Sequence, residues 1–174
     1  MIRIYDKTVS YKNVTMGCNC SKVCKTESQL SKCTDENTDL FEFPRKTMRC
    51  KVVRVYDGDS IWVVINFKGT FTKLKCRMLG YDSPEMKPKL NIKNRAQIIR
   101  KAIIARDYLK SLIENKIVDI QISGFDKYGR VLSTIYIVDP DSSKIICRNK
   151  LNVNNLMIRN GHGYSYMGGT KQNM

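Results

Sequence analysis

Histidine is nearly missing from this 174-residue chain: His162 stands alone. Without clustered histidines, and with the cysteines of the folded part scattered along strands, a soft zinc-type centre there is excluded as a first reading. Carboxylates are scarce as well, 16 Asp and Glu against 31 Lys and Arg, for a formal charge of +15. A field of that sign attracts polyanions, chiefly nucleic acid or an anionic membrane leaflet, and says nothing about fold. No apolar run is long enough to cross a bilayer, and the opening MIRIYDKTVSYKNVTM lacks a secretory-type hydrophobic stretch, so the expected location is intracellular. The seven cysteines are an odd number, four of them within residues 18–33, while Cys50, Cys76 and Cys147 lie in apolar surroundings. Buried reduced thiols are the simpler expectation than a disulfide framework.

What is present divides at about residue 47. Residues 1–47 hold 8 basic and 6 acidic residues, leaving 23 and 10 for residues 48–174, so the polyanion signal belongs to the second part. The first part is polar, has no sustained period and is expected to be a mostly disordered, cysteine-containing extension. Pro44 suits a linker.

From Arg49 the pattern changes to alternating β-branched or aromatic and charged residues, interrupted by turn signals at Asp57-Gly58 and Lys68-Gly69-Thr70. That predicts three successive antiparallel strands. Ile98, Ala102, Ala105, Leu109 and Leu112 recur at helical spacing and predict a long helix with one core-facing side. KIVDIQI and RVLSTIYIV supply two more strands, and LNVNNLMIRNG a short helix with Val153, Leu156 and Met157 inward and Gly161 ending it. Five strands with a helix after the third suit a mainly β, α+β fold, a Greek-key barrel of the OB type, which binds nucleic acid on one face. Fold alone does not give function.

YDGDS and GYDSPE each put an aspartate at a strand end beside turn residues. If Asp59 and Asp82 converge, the pair repels by ~4 kcal/mol at contact distance in a medium of intermediate dielectric. A hard divalent cation offsets this, since Ca²⁺ takes oxygen ligands from carboxylates, carbonyls and water. Arg77 and Arg130 add guanidinium forks that match phosphate oxygens, and Glu85 is a candidate to hold or deprotonate a water. Singly these are ordinary loop residues; jointly they are three of only ten acids in the domain, together with both arginines. Asp57 reads as a turn residue, and Trp62 as core or barrel surface rather than a stacking platform.

VYDGDS, CRMLGYDSPE and FDKYGRVLSTIYI, in that order and at that spacing, resemble the staphylococcal nuclease (thermonuclease) family, and NVNNLMIRNGHGYSY resembles its short helix and following segment. The resemblance covers about residues 48–167. It implies an OB-fold nuclease that uses Ca²⁺ to hydrolyse DNA and RNA and leaves 3′-phosphate ends. By position, Asp59 and Asp82 resemble the carboxylate ligands, with Ser83 supplying a backbone carbonyl. Glu85 resembles the residue that activates or orients the attacking water, and Arg77 and Arg130 the pair that grips the phosphate. Lys127 and Tyr128 are similar to residues contacting a neighbouring phosphate, and Tyr164 or Tyr166 to a tyrosine stacked near a base. The alternative is a catalytically inactive module of the same fold that binds nucleic acid or protein. No obligate protein partner is evident.

MGCNCSK in the extension offers Gly17 for myristoylation and Cys18 and Cys20 for palmitoylation, provided that initiation or processing at Met16 exposes Gly17. Two acyl chains would anchor the protein to a membrane; with Met1 first, Gly17 has no free amine. A zinc site from Cys18, Cys20, Cys24 and Cys33 matches ordinary ligand spacing poorly.

Overall fold

In the computed structural model, residues 20–44, 46–138 and 150–168 are described, with side chains from Lys25 onward in the first stretch. Gly17, Cys18 and the side chain of Cys20, the candidate acylation positions, lie outside what is described, as does Cys147. The chain forms two units, Met1–Phe41 and Glu42–Met174. In the first, residues Cys20–Leu30 form helix α1, where no regular structure was expected from the sequence. A local turn follows, in which Asn37 Oδ1 accepts the Thr34 amide at 2.8 Å. The second unit begins upstream of Met48 because Phe43 packs edge-on against Phe67, at 5.7 Å between ring centroids, and beside Phe125 at 5.6 Å.

The expected alternation produces β1 (Met48–Val55), β2 (Ser60–Phe67) and β3 (Thr70–Met78) as an antiparallel meander. On β2, Ile61, Val63 and Ile65 are buried, whereas Trp62 and Val64 lie on the other face. Lys68 and Gly69 link β2 to β3 with φ of 48° and 85°, and two positive φ values are what a two-residue turn needs to match strand twist. After β4 (Tyr81–Asp82) comes α2 (Arg95–Ile113), then β5 (Ile117–Phe125) and β6 (Val131–Val138). β5 pairs with β1 and with β6, and β6 runs parallel to β3 through Cys76–Val131, Arg77–Leu132 and Met78–Ser133. The ring β1-β2-β3-β6-β5 is thereby closed into a five-stranded OB-type barrel, which removes the exposed edges an open sheet would leave.

Helix α2 buries Ile98, Ala102, Ala105, Leu109 and Ile113. The stripe matches expectation except at its end, where Ile113 is fully buried and Leu112 only partly so. β7 (Lys150–Asn152) extends the sheet beside β6 and leads into α3 (Val153–Arg159). Asn152 caps α3 by accepting the Asn155 amide at 3.1 Å, and Gly161 with φ of 70° follows its end. Leu156, expected to face inward, is half-buried; the buried positions are Val153, Asn154 and Met157. Asn154 is a polar tie: its Nδ2 donates to Leu79 O at 2.8 Å and its Oδ1 accepts the Ile135 amide at 3.1 Å. β8 (Tyr164–Ser165) pairs with β4 in a two-residue ladder, Asp82 opposite Tyr164.

Candidate active site

Asp59 comes from the β1–β2 turn. Asp57 Oδ1 accepts the Asp59 amide at 3.1 Å, an Asx-type contact that shapes the turn. Gly58 lets that turn settle on its surroundings: a Cβ there would lie 2.8 Å from Ser83 Cβ and 3.1 Å from Ala105 Cβ. The Tyr81 hydroxyl donates to Gly58 O at 2.6 Å and fixes the turn from beneath. Two small residues and one phenol thus set where Asp59 stands.

Arg77, near the end of β3, lies across from Ser60 in the ladder. Its Nη1 is 3.0 Å from Asp59 Oδ2, and its Nη2 pairs with Asp82 Oδ1. One guanidinium therefore bridges the two aspartates, and all three side chains are buried. Asp59 has further support: Ser83 N and Oγ donate to its Oδ2 at 3.0 and 2.9 Å, and Ser60 Oγ donates to its Oδ1 at 3.0 Å. Asp82 accepts the Tyr164 hydroxyl at 3.1 Å. Burial pushes the Asp59 carboxyl up to about 6, and nearby Asp57 adds to this; the Arg77 guanidinium and the two Ser83 donors pull the other way.

Beside this cluster opens a cavity of about 790 Å³ lined by Asp59, Arg77, Ser83, Glu85, Lys127, Tyr128, Arg130 and Tyr166, among others. Of the positions singled out in the sequence, those eight share one space. Asp82 sits behind Arg77, buried against Tyr164. Of the two candidate tyrosines, Tyr166 reaches the cavity; the hydroxyl of Tyr164 is committed to Asp82. Trp62 lies on the outer barrel surface, beneath three cations. His162 stacks on Tyr108 with ring centroids 4.3 Å apart, and burial lowers its pKa.

Arg130 is held by a residue the motif reading passed over. Asp126 Oδ2 accepts Arg130 Nε at 2.7 Å, and Asp126 Oδ1 accepts the amides of Tyr128 and Arg130 at 2.9 and 2.8 Å. The Asp126 pKa is lowered: partial burial raises it, and the hydrogen bonds from Arg130 and Tyr128 outweigh that. The signal was available, because an aspartate opening a turn three residues before Gly129 commonly accepts amides further along. Tyr81 and the side chain of Ser83 had no such local signal. Among the described residues, no group of three or more His, Cys, Asp or Glu side chains is arranged to hold a metal ion. The cluster instead gives two carboxylates under one guanidinium, a second guanidinium, Arg130, whose Nη1 is 3.4 Å from Ser60 Oγ, and a carboxylate, Glu85, at the cavity wall. Such a set can bind a phosphodiester anion and accept a proton from a water beside it.

Comparison with known proteins agrees with the motifs. The family model described as staphylococcal nuclease homologue matches residues 75–173. Arg77, Asp82, Ser83, Glu85, Lys127, Tyr128, Arg130, Tyr164 and Tyr166 fall within the match, and Asp59 lies upstream of it. Proteins called uncharacterized endonuclease from Escherichia coli and from Escherichia coli O157:H7 are each 31% identical over 116 residues, 67% of this chain and 60% of theirs. An uncharacterized protein of Methanocaldococcus jannaschii is 28% identical over 132 residues, 67% of this chain and 58% of its own. The chain thus spans about 60% of the length of the bacterial relatives it matches. With the match extending over more than half of its length, the chain belongs to the staphylococcal nuclease homologue family.

Proposed function

We propose that this protein is a Ca²⁺-dependent nuclease that hydrolyses phosphodiester bonds of DNA, RNA or both and leaves 3′-phosphate ends. The observation that carries the reading is the Arg77 guanidinium spanning Asp59 and Asp82 beside a cavity that also presents Glu85 and Arg130. Asp59, Asp82 and the Ser83 carbonyl would hold the ion, an all-oxygen donor set of the kind a hard cation takes. The convergence of the Asp59 and Asp82 carboxylates on the two Nη atoms of one guanidinium is consistent with that fit. When bound, Ca²⁺ would polarise a phosphoryl oxygen and make an adjacent water more acidic.

The remaining work falls to side chains of the chain. Arg77 and Arg130 grip the phosphate from two sides and donate to the equatorial oxygens as charge grows on them. Asp126 keeps the Arg130 fork aimed into the cavity. Glu85 orients the attacking water and takes its proton as the new oxygen–phosphorus bond forms. The bond from phosphorus to the 5′ oxygen breaks, and that oxygen takes a proton from solvent water as it leaves. Lys127 and Tyr128 contact the neighbouring phosphate, and Tyr166 is the better placed of the two tyrosines to meet a base.

The test is digestion of single-stranded DNA and of RNA with Ca²⁺ or with a chelator, the product ends being mapped. Cleavage that stops in chelator and yields 3′-phosphates is expected. Activity indifferent to the chelator removes the Ca²⁺ assignment. No cleavage across a range of pH with Ca²⁺ present removes the enzyme reading and leaves a binding module of the same fold.

A further inference from the structure

The strands β1, β2 and β3 carry six basic residues, Arg49, Lys51, Arg54, Lys73, Lys75 and Arg77, and not one carboxylate. All ten acids of the domain lie elsewhere in it. Alternation puts Phe71, Lys73, Lys75 and Arg77 on one face of β3, the outer one, because Leu74, Cys76 and Met78 turn toward the core. Their ladder partners on β2 are Asn66, Val64, Trp62 and Ser60, and Arg54 on β1 pairs with Trp62 from the far side. Along the ladder this strip leads to the Arg77–Ser60 pair, both of which line the cavity.

Trp62 is the centre of the strip. Lys73 Nζ, Arg54 Cζ and Lys75 Nζ lie 5.2, 5.4 and 5.5 Å from its ring, and Arg54 also lies 5.9 Å from the ring of the exposed Tyr56. An indole attracts each cation, but three like charges around one ring repel one another. Among the described residues no ion pair involves Arg54, Lys73 or Lys75. This local excess of charge is best offset by a polyanion. Side chains two apart on a strand are spaced by ~6.8 Å, on the order of the interval between phosphates of an extended polynucleotide.

We infer that the outer face of β1–β3 is a track for single-stranded nucleic acid, holding the strand that leads away from the scissile phosphate. Lys75, Lys73 and Arg54 contact successive phosphates, and a base stacks on Trp62. A basic groove with interleaved aromatics is how sequence-tolerant single-strand binding works, since every base has a π-face. A duplex would keep its bases stacked inward and leave Trp62 without a partner. The inference deepens the nuclease reading and rests on it for the position of the scissile phosphate. It gives Trp62, expected from the sequence as core or barrel surface and found on the barrel surface, a stacking role in addition.

Trp62 is the sole tryptophan of the chain, so the native protein reports on its own track. The whole chain in chelator is titrated with oligothymidylate of 2 or 12 nucleotides and with a 12-base-pair duplex. Tryptophan emission is recorded alongside anisotropy of end-labelled oligonucleotide. Saturable quenching by the single-stranded 12-mer, and none by the dinucleotide at the same concentration, is expected. Trp62→Ala should weaken 12-mer binding by about 5- to 100-fold, and Trp62→Phe by less, as expected for lost stacking. Lys73→Glu with Lys75→Glu should flatten the salt dependence by about 1.4 in logarithmic slope, two phosphate contacts at ~0.7 each. The same charge change at Lys101 and Lys116 is the control and should leave the quenching in place. Three results would overturn the track: 12-mer binding without quenching and with Trp62→Ala unaffected, tighter binding of the duplex, or equal weakening by the control pair. Hydrolysis of the 12-mer with Ca²⁺ is scored separately. Quenching without hydrolysis sinks the enzyme reading and keeps the track; hydrolysis without quenching does the reverse.

Discussion

Ile61, Val63, Ile65, Ile120 and Ile135 in the barrel interior are 0–1% exposed, and Asp59 just before β2, Arg77 near the end of β3 and Asp82 in β4 are 7, 9 and 3% exposed. Water is excluded from both regions, but the outcome is opposite. In the first, each buried side chain removes hydrocarbon from solvent and stabilises the fold by about 1.5–3 kcal/mol. In the second, burial strips hydration from two carboxylates and a guanidinium, and the mutual attraction only partly offsets the cost. The raised Asp59 pKa is the sign of that imbalance. The barrel core is therefore a source of stability and the charged cluster a drain on it, held in place by Ser60, Ser83, Tyr81 and Tyr164.

Substitutions can press on each side of this contrast. The largest effect is expected from Arg77→Lys, which keeps the charge and loses the fork: turnover should fall ~10²–10³-fold, as for loss of a transition-state donor, with a small change in melting temperature. Glu85→Gln should behave alike, and unchanged turnover in either variant removes that residue from the mechanism. Next is Ile135→Ala, which deletes hydrocarbon from a fully buried position. It should cost ~2–5 kcal/mol in denaturant unfolding while activity per folded molecule stays near the native value. A comparable loss of rate in the folded fraction would show that core and site are not separable.

Third is Asp59→Asn. Folding raises this carboxyl from its ordinary value to about 6, so between roughly pH 4 and 6 the native state keeps a proton that the unfolded chain has released. Stability measured in chelator should fall as pH rises through that window and stay level above it. The asparagine variant should lose that slope and be more stable at pH 7 by ~1–3 kcal/mol, while turnover collapses. A less stable variant would mean that the Ser83 and Arg77 contacts outweigh burial. The smallest effect is expected for Tyr164→Phe, which removes one hydrogen bond to Asp82. About 1 kcal/mol of stability and a few-fold in rate are at stake.

The barrel was legible because period-two alternation persists through β1, β2 and β3, and Lys68-Gly69 marks their tightest turn. The end of the α2 stripe was not. At about 100° per residue, Leu112 and Ile113 sit about 50° on either side of the stripe's centre, and only the curvature of the barrel decides between them. β4 and β8 are two residues each, too short to have a period. Asp59, Arg77, Asp82 and Glu85 were singled out by motif spacing, and the fold brings Asp59 and Asp82 to Arg77 and puts Glu85 on the same cavity as Asp59 and Arg77. The residues that hold them were largely silent, since Tyr81 to Gly58 spans 23 positions and Asn154 to Leu79 spans 75. Contacts at that range leave no local pattern.

The Tyr164 hydroxyl meets Asp82 from 82 positions away, through the ladder of β4 and β8. A polypeptide that has folded only as far as β6 already has every stave of the barrel, and its Asp82 still lacks the phenol. Every stave of the barrel thus lies before residue 139, while one donor to its charged centre comes from beyond it.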